Sequence, residues 1–340
     1  MQLIRYRAGG GAPQVGILDG DRVRPLPGVA TMADLLARPV TWIRGACETL
    51  LAGGTLDPGD GTPGEGAPGN GAPRGAAPDP GGTGGTGQVP GGAQAAGPAA
   101  GTGQDQVPLR RITVLAPVDG QTEVWAAGVT YERSMHARVQ ERLDSADIYD
   151  RVYTAPRPEL FFKSAAWRVA GPGDRVSARA DSQVDVPEPE LAAALNVGGE
   201  VVGYTICNDM SSRSIEGENP LYLPQAKIYL GGCAAGPGIR PAWEVEDPYG
   251  LTIEMTISRD GGTAWTGQAS TAGLRRTVPE LAAFLFREDE FPAGVLLSTG
   301  TSLVPDLPFT LRAGDEIRIS IPEIGELVNH VVRGKAALRA

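Results

Sequence analysis

Glu188 and Glu190, one residue apart in Val-Pro-Glu-Pro-Glu-Leu, and Asp209 in the later run Ile-Cys-Asn-Asp-Met are the residues of this chain whose type and spacing point to chemistry. Pro187 and Pro189 push their neighbours out of the helical region toward extended backbone, where positions i and i+2 share a face. Both glutamates then face one place. Taken without context, the three acids also fit a solvated surface. Converging beside an apolar stretch, they would repel and raise one another's pKa unless a cation sat between them. A hard divalent ion with oxygen ligands, Mg²⁺ or Mn²⁺, is the natural occupant. Three carboxylates leave positions for water or substrate, which suits a metal that polarises a bound carbonyl. A 2-oxo acid would chelate that ion through its carboxylate and ketone oxygens, and the cation would stabilise an enolate formed beside the ketone.

The elements around these residues must deliver them. Val201-Val202-Gly203-Tyr204-Thr205-Ile206-Cys207 reads as a largely buried strand with Asn208-Asp209 at its end. Further strands are predicted over 113–115, 124–127, 160–163, 191–196, 251–259, 295–298 and 316–321. One helix follows Thr277, with Glu280 completing a capping box before Leu281, Phe284 and Leu285. Before these lies a small unit, residues 1–52, with strands at 2–7 and 14–18, a turn at Asp19-Gly20-Asp21 and a short helix capped by Thr31 with Asp34 three positions on. So small a unit has little core of its own, so it is expected to pack on the larger domain, 109–340. Between them, 53–108 is almost wholly Gly, Pro, Ala, Thr, Gln and Asp, a composition that predicts a disordered linker or insert.

The formal charge of −10 over 340 residues and a pI near 4.9 argue against a nucleic-acid partner. No run approaches the length of a membrane span, and Met-Gln-Leu-Ile-Arg-Tyr-Arg lacks the apolar core of a signal peptide, so a cytoplasmic protein is expected. Cys47, Cys207 and Cys233 show no ligand spacing and read as reduced packing residues. No Gly-x-Gly-x-x-Gly stands between a strand and a helix, so dinucleotide binding has no support.

The order Glu-x-Glu, then Gly-Tyr-x3-Asn-Asp-x-Ser-x-Arg213, then Ala-Lys227, then Cys-Ala-Ala-Gly-Pro-Gly-Ile resembles the fumarylacetoacetate hydrolase family. Gly-Val-Thr-Tyr131, Leu-Phe-Phe-Lys163 and Ser-Thr-Gly-Thr301 extend the likeness over roughly 110–332. The resemblance implies an α+β, predominantly β fold, a mixed β-sandwich roll carrying the small N-terminal α/β unit. It implies a homodimer acting on a small 2-oxo acid. It also implies a site in which Glu188, Glu190 and Asp209 hold the metal, Lys227 is catalytic, and Tyr131, Lys163, Arg213 and Thr301 bind substrate.

The base is open at this level. His136, five residues after Tyr131, has the spacing of the family's water-activating histidine, and Glu132, Arg133 or Glu141 in the same polar segment could replace it. The long run Ile-Glu-Gly-Glu-Asn-Pro-Leu-Tyr-Leu-Pro-Gln-Ala-Lys227, together with Arg-Pro-Glu159-Leu-Phe-Phe-Lys, is most similar to the branch of 2-keto-3-deoxy-arabinonate dehydratases. That similarity implies a metal-dependent lyase that removes the C3 proton and expels the C4 hydroxyl as water. Two other functions fit the same residues: a hydrolase or decarboxylase cleaving a carbon–carbon bond in an acylpyruvate or other 1,3-dicarbonyl acid, and a non-catalytic homologue that binds metal or an oxo acid. Ser214, where many members carry aspartate, is a departure from the pattern.

Overall fold

The computed structural model describes residues 1–56, 106–132 and 151–339. Most of the 53–108 segment lies outside those residues, as do His136, Arg133 and Glu141. The chain opens as a meander of β1 (Gln2–Ala8), β2 (Gln14–Asp19) and β3 (Arg22–Pro25) and continues into α1 (Met32–Leu36) and α2 (Val40–Leu51). Thr31 caps α1 as expected: it accepts from the Asp34 amide at 3.0 Å while the Asp34 carboxylate accepts from the Thr31 amide at 3.0 Å. β4 (Val107–Pro108) pairs with β3, and β5 (Ile112–Leu115) pairs with β1.

The larger part holds β6 (Glu123–Gly128), β7 (Glu159–Ala165), β8 (Arg175–Ala178), β9 (Asp185–Val186), β10 (Pro189–Leu195), β11 (Val201–Asp209) and β12 (Ser211–Ser212). Two short helices follow, α3 (Arg213–Glu218) and α4 (Leu223–Lys227). Then come β13 (Cys233–Pro241), β14 (Thr252–Arg259), β15 (Gly262–Ser270), α5 (Val278–Leu285), β16 (Val295–Ser298), β17 (Glu316–Ile321), β18 (Gly325–Arg333) and α6 (Gly334–Leu338). One sheet runs β4-β3-β2-β1-β13-β11-β10-β16-β6-β7, a second runs β15-β14-β17-β18-β8, and β12 pairs with β9.

The large sheet is buried on both faces. Leu191, Ala193, Leu195, Tyr204 and Ile206 pack against Ile253, Met255, Ile257, Ile317 and Ile319 of the second sheet. The alternate residues Ala192, Ala194, Val202 and Cys207 pack against Leu3, Ile17, Met32, Leu35 and Ile43 of the N-terminal unit. This explains why the strands read as unbroken apolar runs rather than an alternation. Burying each Leu or Ile here contributes roughly 1.5–3 kcal/mol. The N-terminal residues are therefore continuous with the larger part in both sheet and core, β1 lying directly beside β13 with Leu3 opposite Ile239.

The predicted strands at 295–298 and 316–321 coincide with β16 and β17. Thr277 caps α5 by accepting from the Glu280 amide, but the Glu280 carboxylate accepts from Arg276 Nη1 at 2.6 Å instead of completing the box. Several of the described elements were not legible, among them α2, β3, β8, β13 and β15. Gly45 hides α2, and Cys-Ala-Ala-Gly-Pro-Gly-Ile-Arg-Pro reads as a loop although it is a central strand. Pro237 is tolerated there because it falls where the β11–β13 register shifts. All three cysteines are buried free thiols, as expected.

Candidate metal centre and active site

The register of β10 against β11 makes the acidic cluster. Glu190 stands opposite Cys207, and the Asp209 amide donates to the Glu188 carbonyl at 2.9 Å, so Asp209 closes the triangle that the i, i+2 pair begins. One carboxylate oxygen from each lies within 4.8 Å of the others, and all three residues are buried, none more than 2% exposed. The solvated-surface alternative is thereby excluded. Glu190 Oε2 accepts from Ser298 Oγ at 2.5 Å and from the Gly300 amide at 2.8 Å. Burial, and then the charges of Asp209, Cys207 and Glu188, push its pKa well above the usual carboxylate range, against the opposing Ser298 bond. Gly300 has φ +92°, and a Cβ there would stand 2.0 Å from Thr130 Oγ1, so the loop that brings this amide to Glu190 requires glycine.

Buried acids need buried cations. Lys227 Nζ, at the C-terminal end of α4, donates to Glu188 Oε2 at 2.7 Å, to Asp209 Oδ2 at 3.0 Å and to Ser211 Oγ at 2.5 Å. Arg213, the first residue of α3, lies between Glu188 Oε1 at 3.8 Å and Glu216 Oε2 at 3.6 Å. Lys163 is ion-paired to the other Asp209 oxygen, Oδ1. Carboxylates gathered this closely, one of them with a raised pKa, with oxygen donors from two strands, suit a divalent cation with oxygen preference. The residues present fit Mg²⁺ held by Glu188, Glu190 and Asp209.

A small solvent-open cavity lies over this cluster. Its wall includes Glu188, Glu190, Asp209, Arg213, Lys227 and Thr301. Thr301 is held in its turn by accepting from the Leu303 amide at 3.0 Å. The structure does not bring every expected residue to the cavity. Tyr131 is buried behind Glu190, its hydroxyl pKa raised by burial and then by the Glu190 charge. Lys163 does not line the cavity: its Nζ is committed to Asp209, to the Met210 carbonyl at 3.0 Å and to the Lys227 carbonyl at 2.5 Å. In this arrangement Lys163 faces Asp209 and those two carbonyls rather than the cavity, where the resemblance expected it to meet substrate. Glu132 is exposed and outside the cavity wall.

Sequence reasoning missed three features. Gly128, opposite Glu159 across β6 and β7, lines the cavity, and a Cβ on it would meet Glu159 Oε2 at 2.2 Å, so the Glu159 carboxylate lies over that glycine. Val129, also in the wall, holds φ +52°, a strained conformation for a β-branched residue. Glu216 is buried beside Arg213. The Arg-Pro-Glu159-Leu-Phe-Phe motif was visible as sequence, but only strand pairing shows where its carboxylate goes.

Fold and site define a metal-centred enzyme architecture, and comparison with known proteins agrees. The family profile described as fumarylacetoacetate (FAA) hydrolase C-terminal matches residues 123–332. The chain belongs to the fumarylacetoacetate hydrolase family. It is 49% identical over 215 residues to a probable 2-keto-3-deoxyxylonate dehydratase of Haloferax volcanii, covering 63% of this chain and 73% of that protein. It is 41% identical over 223 residues to 2-dehydro-3-deoxy-D-arabinonate dehydratase of Saccharolobus solfataricus, covering 65% of this chain and 74% of that one. A solved structure of 2-keto-3-deoxy-D-arabinonate dehydratase complexed with magnesium and 2,5-dioxopentanoate superposes with a TM-score of 0.70 at 29% identity, over 98% of this chain and 99% of that chain.

Proposed function

We infer that the protein is a Mg²⁺-dependent lyase that dehydrates a 2-keto-3-deoxy sugar acid. The observation that carries this is the convergence of three buried carboxylates, Lys227 and Arg213 on one open cavity, in a chain similar to two such dehydratases. Bound to Glu188, Glu190 and Asp209, the ion would polarise the 2-oxo group and make the C3 protons acidic.

The chain's own residues then divide the work. Arg213 and the Thr301 turn, both in the wall, are placed to hold the substrate carboxylate. Lys227, in the wall, holds its ammonium beside the ligand oxygens, where its positive charge would stabilise a developing enolate. Glu159, whose carboxylate lies over Gly128 in the wall, is the base we assign to the C3 proton, and the C4 hydroxyl leaves as water. A five-carbon substrate thereby loses one water to give the 3,4-unsaturated 2-oxo acid; loss of a C5 proton and protonation at C3 then give the C5 enol, which ketonises to 2,5-dioxopentanoate, the compound named in the magnesium complex of the similar dehydratase.

The two dehydratases carry different sugar stems in their names. Arabinonate and xylonate differ only at C2 and C3, and a 2-keto-3-deoxy acid has lost both stereocentres, so within one enantiomeric series the two names denote one compound. We assign that acid as the substrate. The homodimer and the cytoplasmic location also belong to this reading; they draw on the family resemblance and on the composition. Among the described residues no helix is long and apolar enough to cross a membrane.

Incubation with 2-keto-3-deoxy-arabinonate and Mg²⁺ in D₂O tests the assignment. A product lighter by one water with deuterium at C3 is expected. Cleavage of an acylpyruvate without any dehydrated product overturns it. Glu159→Gln should lose turnover by about 10²- to 10⁴-fold while Glu132→Gln and His136→Ala keep it, the size expected for a positioned base. Light scattering should give twice the chain mass.

A further inference from the structure

The structure assigns Lys163 a positioning role: it is a latch that ties one wall of the cavity to a metal ligand and to the backbone of Lys227. This rests on the reading of the acidic cluster as a divalent-metal site. Lys163 sits on β7, the terminal strand of the large sheet, while Asp209 ends β11, and β10, β16 and β6 intervene. In a flat sheet those four steps would separate the two strands by about 19 Å. A lysine cannot span that, so its bond to Asp209 exists only because the sheet rolls on itself. Lys163 is one of the groups that close the roll.

What it joins matters for the site. On its own strand, Phe161 lines the cavity and Glu159 overlies Gly128. On the other side its ammonium takes Asp209 Oδ1 while Lys227 takes Oδ2, so the two lysines grip the ligand carboxylate from both oxygens. Its remaining bonds go to the carbonyls of Met210, just past β11, and of Lys227, at the end of α4. The Tyr229 ring backs the ammonium, with Nζ 5.9 Å from its centre. One side chain, 1% exposed, thus sets the orientation of Asp209, the position of the Lys227 main chain and the distance from both to the opposite wall. Groups of this kind, bonded to ligands rather than to the metal, typically govern affinity or activity by 10- to 100-fold.

Lys163→Met removes the ammonium while keeping the shape. The first measurement is Mg²⁺ binding by calorimetry, without substrate. Removing a positive charge beside the centre would by itself tighten Mg²⁺, and any proton competition it releases fades as pH is raised, so a weakening that persists at higher pH comes from lost orientation of Asp209. We expect at least a tenfold weaker dissociation constant. Unchanged or tighter binding overturns the assignment. The second measurement is kinetic: turnover with saturating Mg²⁺ should fall roughly 10- to 100-fold with KM within threefold of the parent. A raised KM with turnover kept would return Lys163 to substrate contact, and turnover kept alongside a lower melting temperature would reduce it to a fold residue; either overturns the proposal. If Lys163→Met does not fold, Lys163→Gln, which retains an amide donor for one carbonyl, is read by the same two measurements. A wild-type protein that binds Mg²⁺ but dehydrates no 2-keto-3-deoxy acid would sink the activity reading alone, and the calorimetry would still decide Lys163.

Discussion

The two ends of the β10–β11 strand pair present opposite solutions to burial. At one end, Leu191, Ala193, Leu195, Tyr204 and Ile206 alternate with Ala192, Ala194 and Val202 into two apolar cores. At the other, Glu188, Glu190 and Asp209 are buried just as completely but carry charge. The apolar end is stabilised by the area it removes from water. The charged end is tolerated because Lys227, Lys163 and Arg213 stand against it, and because Ser298 and the Gly300 amide satisfy Glu190. Stability and function are therefore separated along the same two strands. A rigid apolar stretch fixes the register, and the register aims the ligands.

Perturbing the charged end should give the largest effects. Glu190→Gln removes one of the three carboxylates proposed to hold the ion and presents an amide where Ser298 and Gly300 both donate. We expect Mg²⁺-dependent turnover to vanish and the metal-induced rise in melting temperature, equivalent to about 2.7 kcal/mol at a hundredfold excess over Kd, to disappear. An unchanged Mg²⁺ calorimetric titration would remove Glu190 from the ligand set.

Lys227→Met comes next, with turnover expected to fall by about 10²- to 10⁴-fold and KM to change far less, since Arg213 and Thr301 remain. Steady-state kinetics with the 2-keto-3-deoxy acid check this, and a change confined to KM would contradict it.

At the apolar end the sign of the experiment reverses. Leu195→Ala should cost about 2–5 kcal/mol of stability by opening a cavity between the sheets, with turnover per folded molecule nearly unchanged. Denaturant unfolding alongside active-site titration measures both, and a selective loss of turnover would show that the two ends are not separable.

The smallest effect is expected far from both. Deleting 57–105 and joining Leu56 to Gln106 through a short Gly-Ser bridge should leave melting temperature and turnover close to the parent values, because closure entropy changes by only about 0.6 kcal/mol per doubling of loop length. Arg24 brings the flanks together, donating at 3.1 Å to the Leu50 carbonyl and at 3.1 Å to the Gln106 side-chain oxygen. Val107 and Pro108 must stay, since they pair with β3. An insoluble or inactive product would give the segment a role in the fold.

The sequence by itself determined that the Glu188 and Glu190 carboxylates share a face, because two prolines impose extended backbone on them and a period of two then follows from local geometry. It also determined the apolar strand ending at Asp209 and the Thr31 and Thr277 caps, all of which depend on neighbours a few residues away. Only the tertiary structure decided what Lys163 touches, since its partners Asp209, Met210 and Lys227 are brought to it by the rolling of a sheet. The same holds for Glu159, whose carboxylate comes to lie over Gly128, and for β13, a Gly- and Pro-rich segment made into a central strand by β1 and β11 on either side. The physical reason is range. Backbone preference and side-chain period act within a few residues and can be read from order alone, whereas pairing partners and the closure of a sheet are set by contacts between segments far apart in the chain.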